Sequence, residues 1–217
     1  MGPNSLTSSG LGLDRPCFLA AQLRGRSRRT DLRRFCSLDR PRAVPASSTR
    51  YVAFLRGVSP LNAKMSDLKR AFELAGFTDV RTLLTSGNVG FSARPAPERT
   101  LARKAEAAMK QHLERPFVTF IRSVDDLRAL LASEPYTRFT AKRGFKRVIT
   151  FLETTPKTKL ALPLEIDGGR ILAIVGREVF GDYRQSDRGP AFMTLLQKTF
   201  GKSITSRTWQ TVERAAR

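Results

Sequence analysis

The sequence predicts an α+β fold in which short strands and helices alternate without a repeating βαβ period. Three observations predict it. From Tyr51 onward, apolar runs of about five residues alternate with stretches whose apolar residues recur three and four apart. Gly, Pro, Asn and Ser sit at the joins between them. Upstream of that point no apolar period persists, so the folded body begins at the first strand.

Tyr51 to Leu55 is a continuous apolar run, as expected of a strand covered on both faces. Gly57, Pro60 and Asn62 mark a loop, and Met65, Leu68, Phe72 and Ala75 then keep helical spacing up to Gly76, a natural C-cap. Val80 to Leu84 reads as a strand that turns at Ser86-Gly87-Asn88 and pairs back over Val89 to Ser92. Pro97 and Glu98 open a second helix with Leu101, Ala105, Ala108, Met109 and His112 on its apolar side. Phe117 to Ile121 is the next strand. Ser123 caps a helix through Leu127, Leu130 and Leu131 that Pro135 ends. The order β-α-β-β-α-β is the split, ferredoxin-like pattern, with both helices on one face of an antiparallel sheet.

The second half is also mixed. Arg147 to Leu152 reads as a strand, Leu160 to Ile166 as irregular chain around Pro163, and Ile171 to Val175 with Glu178 to Tyr183 as a hairpin. Pro190 suits the start of a helix closed by Gly201. Ile204 to Arg207 is short and extended, and Thr208 caps a last helix carrying Trp209 and Val212. The expected organisation is a disordered extension over residues 1–49, a ferredoxin-like part over 50–135 and a smaller α+β part over 136–217.

The chain has 217 residues, with 39 Lys and Arg against 19 Asp and Glu, one His and two Cys, for a formal charge of +20. An apolar content of 41% is too high for a disordered polyelectrolyte. No apolar run approaches the ~18 residues of a membrane span. Residues 1–50 hold ten Arg, no Lys and three Asp, or +7, which leaves +13 on the body. Both cysteines, Cys17 and Cys36, lie in that first segment. Three readings fit the segment: a basic arm that holds nucleic acid, a transit peptide, or an extension translated from a misplaced start. Arg without Lys favours the third, because the body uses ten Lys and a phosphate-binding arm has no reason to avoid it.

Catalytic signatures are missing: no glycine-rich phosphate loop follows a strand, and neither G-x-S-x-G nor H-E-x-x-H occurs. One histidine leaves little room for His-driven chemistry or a multi-His metal site. Asp125 and Asp126 suit a helix N-terminus electrostatically. Arg56 and Lys64 flank a turn that feeds a helix, a geometry able to hold an anion, although Asn62 serves equally well as a cap for that turn. Ser86 and Asn88 belong to a hairpin turn. Trp209 beside Arg207 could stack a ring, or simply anchor the core. Lys142, Arg143, Lys146 and Arg147 crowd around Gly144-Phe145, with Arg184 and Arg188 after the hairpin; such clusters grip phosphates without reading sequence.

Several stretches resemble the domain-of-unknown-function 1697 family: Tyr51 to Val58, Asn62-Ala63-Lys64-Met65, Ala75 to Thr82, Ser86-Gly87-Asn88-Val89, Gly176 to Phe180, Gly189-Pro190 and Arg207 to Val212. The resemblance spans roughly Tyr51 to Arg217. It implies a two-part α+β protein, mostly bacterial, many of whose members begin near this first strand, and it implies no activity. Ser59-Pro60-Leu61 stands where the family's usual L-R-G-I-N-V-G-G motif has Asn and glycines. Pro60 removes an amide donor from any phosphate-binding loop there.

The leading expectation is a non-catalytic, cytoplasmic module that binds nucleic acid or another polyanion through Lys142, Arg143, Lys146, Arg147, Arg184 and Arg188. The alternative is a site for a small anionic ligand or phosphate ester, with or without catalysis, in a cleft near Arg56, Asn62, Lys64, Ser86, Asn88, Arg207 and Trp209. A third reading is a purely structural partner-binding domain. No cofactor, metal or membrane partner is expected, and the sequence carries no signal for an oligomeric state.

Overall fold

The computed structural model describes residues 47–84, 87–157, 160–166, 168–185 and 191–217. The expected extension therefore lies outside the described residues up to Ala46, together with Cys17, Cys36, Ser86, Arg188, Gly189 and Pro190. The fold is mixed α and β, with two antiparallel sheets and five helices among the described residues.

The first sheet contains β1 (Thr49–Leu55), β2 (Thr78–Leu83), β3 (Asn88–Ala93) and β4 (Thr119–Ser123) in the order β2-β3-β1-β4. Every neighbouring pair is antiparallel. Helices α1 (Met65–Leu74) and α2 (Glu98–Leu113) cover one face. The apolar run of β1 has a simple cause. Tyr51, Ala53 and Leu55 point to α1 and α2, where they join Leu68, Phe72, Ala105 and Met109. Val52 and Phe54 point the other way, so each residue of the run is buried on one side or the other.

The second sheet contains β5 (Lys146–Leu152), β6 (Leu164–Ile166), β7 (Gly169–Val175), β8 (Glu178–Tyr183) and β9 (Ile204–Thr208), in the order β6-β7-β8-β5-β9. Its Ile149, Phe151, Leu172 and Phe180 pack on Val52, Phe54 and Phe120 of the first sheet. The Phe54 and Phe151 rings stack with centroids 4.4 Å apart. Helices α3 (Val124–Ala132) and α5 (Trp209–Ala215) add Val124, Leu127, Val212 and Ala215 to this core. The opposite face, with Val148, Leu152, Ile171 and Val179, is closed by Phe192 and Leu196 of α4 (Ala191–Phe200).

Local chemistry sets the ends of these elements. Ser123 Oγ accepts the Asp126 amide at 3.0 Å to cap α3, and Thr208 Oγ1 accepts the Thr211 amide at 3.3 Å to cap α5. Gly76 takes a φ of +76° after α1, a conformation that side chains resist.

The short extended piece after α4 is strand β9, which pairs with β5 from Ile204 to Thr208. Two readings need correction. The segment read as irregular ends in the edge strand β6, whose three residues pair with β7 despite Pro163 just before them. His112, expected on the apolar side of α2, is exposed, because α2 runs past the edge of its core and the partly buried Leu113 takes the last apolar position. Among the described residues no helix is long and apolar enough to cross a membrane.

Candidate functional site

The loop between β1 and α1 is held by its own side chain. Asn62 Nδ2 donates to the Gly57 carbonyl at 2.8 Å, and its Oδ1 accepts the Ser59 amide at 2.9 Å. Asn62 thus staples the loop, as an Asn in a turn commonly does. Lys64 occupies the N-cap position of α1 without a side-chain cap and points to solvent. The Arg56 guanidinium donates to the Lys202 carbonyl, so it reaches across to the segment before β9.

Asn88 and Arg207 do come together, where the two sheets meet, with Arg207 itself part-exposed. Asn88 is fully buried, and its Nδ2 donates to the Leu83 carbonyl at 3.2 Å. Its Oδ1 accepts Arg207 Nε at 2.5 Å. Arg207 also donates to the carbonyls of Leu55 at 2.7 Å, Gly87 at 3.3 Å and Ser206 at 2.8 Å, and to Thr205 Oγ1 at 2.8 Å. Its Cζ lies 5.8 Å from the Phe54 centroid. Burial pulls the Arg207 pKa down to about 10. The guanidinium therefore joins β9 of the second sheet to the ends of β1 and β3 in the first. Trp209 faces elsewhere. Its ring meets Tyr136 edge-on at 5.2 Å, and its Nε1 donates to Glu213 Oε1 at 2.7 Å.

The basic residues around Gly144 are assembled by strand register. Lys146 lies opposite Tyr183, and Arg147 opposite Asp182, which places Arg184 at the same end of the sheet as the Lys142–Arg147 segment. Arg143, Lys146, Arg147 and Arg184 are exposed. Lys142 pairs with Glu165. That contact, first through its hydrogen bond, holds the Glu165 carboxyl below its ordinary pKa. Asp182 is buried and receives both Nε and Nη2 of Arg170, its cross-strand neighbour on β7. The Arg147 Cζ sits 5.1 Å from the Tyr136 ring, whose hydroxyl lies 2.6 Å from the Val148 carbonyl. Burial pushes that phenol well above its usual range.

Sequence reasoning missed two features. The first is Arg122 on β4, only 4% exposed, which binds Glu178 Oε1 at 2.6 Å, Glu98 Oε2 at 3.3 Å and the Leu152 carbonyl at 3.0 Å. Arg177 shares Glu98 at 2.7 Å. The members come from α2, β4 and the β7–β8 hairpin, so no spacing along the chain could have revealed the cluster. The second is a cavity of about 330 Å³ between α2 and the outer edge of β4, whose lining includes Arg103, Glu106, Thr119, Arg122 and Glu153. Glu106 Oε1 accepts the Thr119 amide at 2.8 Å and so shields the open edge of β4. Burial, the largest cause, and the nearby Glu153 charge raise the Glu106 pKa, partly offset by the Thr119 hydrogen bond. Among the described residues no group of three or more His, Cys, Asp or Glu could hold a metal ion.

A solved structure of a conserved bacterial protein from Streptococcus pneumoniae is similar to this chain at 21% identity, with a TM-score of 0.56. The similarity covers 78% of this chain and 98% of that one. No curated protein matches. The family model described as a protein of unknown function, DUF1697, matches residues 48–180. That match runs from the start of β1 to the middle of β8, taking in all of the first sheet and the centre of the second, and the chain belongs to the DUF1697 family.

Proposed function

We propose that this protein binds a phosphate-backbone polyanion of the nucleic-acid type through the end of its second sheet, as a non-catalytic module. One observation carries the reading. Arg143, Lys146, Arg147 and Arg184 share that end and point to solvent, and none of them forms an ion pair with a described residue. The acids beside them, Glu165 and Asp182, are already engaged by Lys142 and Arg170. Four cations are therefore left for an external anion, and Arg188 belongs to the same cluster in sequence. The small-anion alternative has less support, because the polar groups of Asn62, Asn88 and Arg207 are satisfied within the protein. The strand order and pairings of the first sheet, with α1 and α2 on one face, support reading residues 50–135 as a ferredoxin-like part.

The test is the salt dependence of binding to a fluorescent oligonucleotide. Four phosphate contacts on a single strand give a log–log slope of about −3, so affinity falls roughly 50-fold between 50 and 200 mM salt. Replacing Arg143, Lys146, Arg147 and Arg184 together by Glu abolishes binding in this reading. An affinity that ignores salt, or that survives the fourfold change, overturns it.

A further inference from the structure

We infer, resting on the polyanion reading above, that the ligand is a single-stranded nucleic acid and that Phe145 is the ring on which one of its bases stacks. Twelve of the chain's phenylalanines lie among the described residues, and eleven of them belong to or pack against one of the three hydrophobic cores. Phe145 is the exception. It is part-exposed, joins no core, and sits in the middle of the basic segment, between Lys142-Arg143-Gly144 and Lys146-Arg147.

Its surroundings fit a stacking platform. The Lys142 ammonium lies 5.7 Å from the Phe145 centroid and the Arg170 Cζ 5.9 Å. Each cation is tethered, Lys142 by Glu165 and Arg170 by Asp182. The two tethers differ. The Arg170–Asp182 pair is buried, with side chains 10% and 6% exposed, and holds its place. The Lys142–Glu165 pair is open to solvent, at 38% and 57%, so exchanging that carboxylate for a phosphate costs little. Lys142 moving to a phosphate uncovers part of the ring for a base. Gly144, at φ +79°, forms the turn that presents Phe145. An aromatic face beside cations that track a backbone is how single strands are held without sequence preference. A duplex keeps its base faces stacked inside, and polyphosphate has none.

The experiment measures, at one low salt concentration, the affinity of the full chain for a twelve-nucleotide oligothymidylate, a twelve-base-pair duplex and inorganic polyphosphate. Wild type is compared with Phe145→Leu and Phe145→Trp. The expected result is that Phe145→Leu weakens oligothymidylate binding by about 5- to 150-fold. Polyphosphate binding stays within twofold, and Phe145→Trp retains the single strand. An equal loss on oligothymidylate and polyphosphate, no loss on either, or tighter binding of the duplex overturns the inference while leaving the polyanion reading standing. Failure of the wild type to bind any of the three probes overturns both. Because the ring lies outside the cores, the melting temperature of Phe145→Leu is expected to match the wild type, which separates lost binding from lost folding.

Discussion

Replacing Arg207 by Met separates a structural arginine from a ligand-binding one. Met keeps much of the stem's apolar contact but removes every donor. In the wild type those donors reach Asn88 Oδ1 and the Leu55 and Gly87 carbonyls in the first sheet, as well as Thr205 Oγ1 and the Ser206 carbonyl on β9 itself. A hydrogen bond from a charged donor is worth about 1.5–3 kcal/mol, and a buried acceptor left bare costs about 1–3 kcal/mol. The terms overlap, because water can enter once the guanidinium is gone. The cost of burying the charge, visible in its depressed pKa, is also recovered. A net loss of about 3–5 kcal/mol is expected, from two or three acceptors of the first sheet left bare at about 1–3 kcal/mol each, less the recovered cost of burying the charge. With a urea m-value of about 2 kcal/mol/M, the unfolding midpoint falls by roughly 1.5–2.5 M at unchanged m. Asn88→Ala removes one of the same contacts, so its cost and that of Arg207→Met add to more than the double variant shows. A midpoint shift below about 0.5 M, corresponding to about 1 kcal/mol, would refute the claim that Arg207 ties the two sheets together.

Gly181 tolerates no side chain, since a Cβ there would lie 2.6 Å from the Arg170 carbonyl oxygen and 2.7 Å from Phe192 Cζ. Gly181→Ala is expected to cost about 1–3 kcal/mol in chemical denaturation, and a neutral result would mean that β7 and α4 yield easily. Glu106 carries a pKa raised above 4.5 in the folded state, first by burial, so the folded protein holds that proton more tightly than the unfolded chain. Its favourable contribution is thus present below pH 4.5 and lost as pH rises through the raised value. Glu106→Gln keeps an acceptor for the Thr119 amide and removes this dependence. Its melting temperature relative to wild type is expected to rise between pH 4 and pH 7, and a fall would contradict the sign.

The sequence exposed most of the first sheet because its signals are local. The run Tyr51–Leu55 must be a strand buried on both faces, and the helical spacing from Met65 to Ala75 fixes which side of α1 is apolar. Caps at Ser123 and Thr208 were legible for the same reason, since donor and acceptor are three residues apart. Strand β9 was harder to read. Its five residues include Thr, Ser and Arg, and only pairing with β5 makes it a strand. The site residues divide in the same way. The crowding of Lys142, Arg143, Lys146 and Arg147 is visible in the chain, and register then brings Arg184 to the same end. Asn88 and Arg207 both belong to the candidate ligand cleft in the sequence, whereas in the fold these residues, 119 apart in the chain, bond to each other.

By itself the sequence determined the mixed fold, the positive charge and the crowding of basic residues around Gly144, because these depend on residue type and near-neighbour spacing. The tertiary structure alone decided which charges are already used. Nothing in the local sequence marks Arg122, Arg170 or Arg207 as engaged, yet each is held by oxygens from other elements of the fold. Arg143, Lys146, Arg147 and Arg184 stay in water. The physical reason is that burying a guanidinium requires several acceptors arriving together from different strands. Only the folded arrangement supplies them, and so only it tells an arginine held inside the protein from one that stays in solvent.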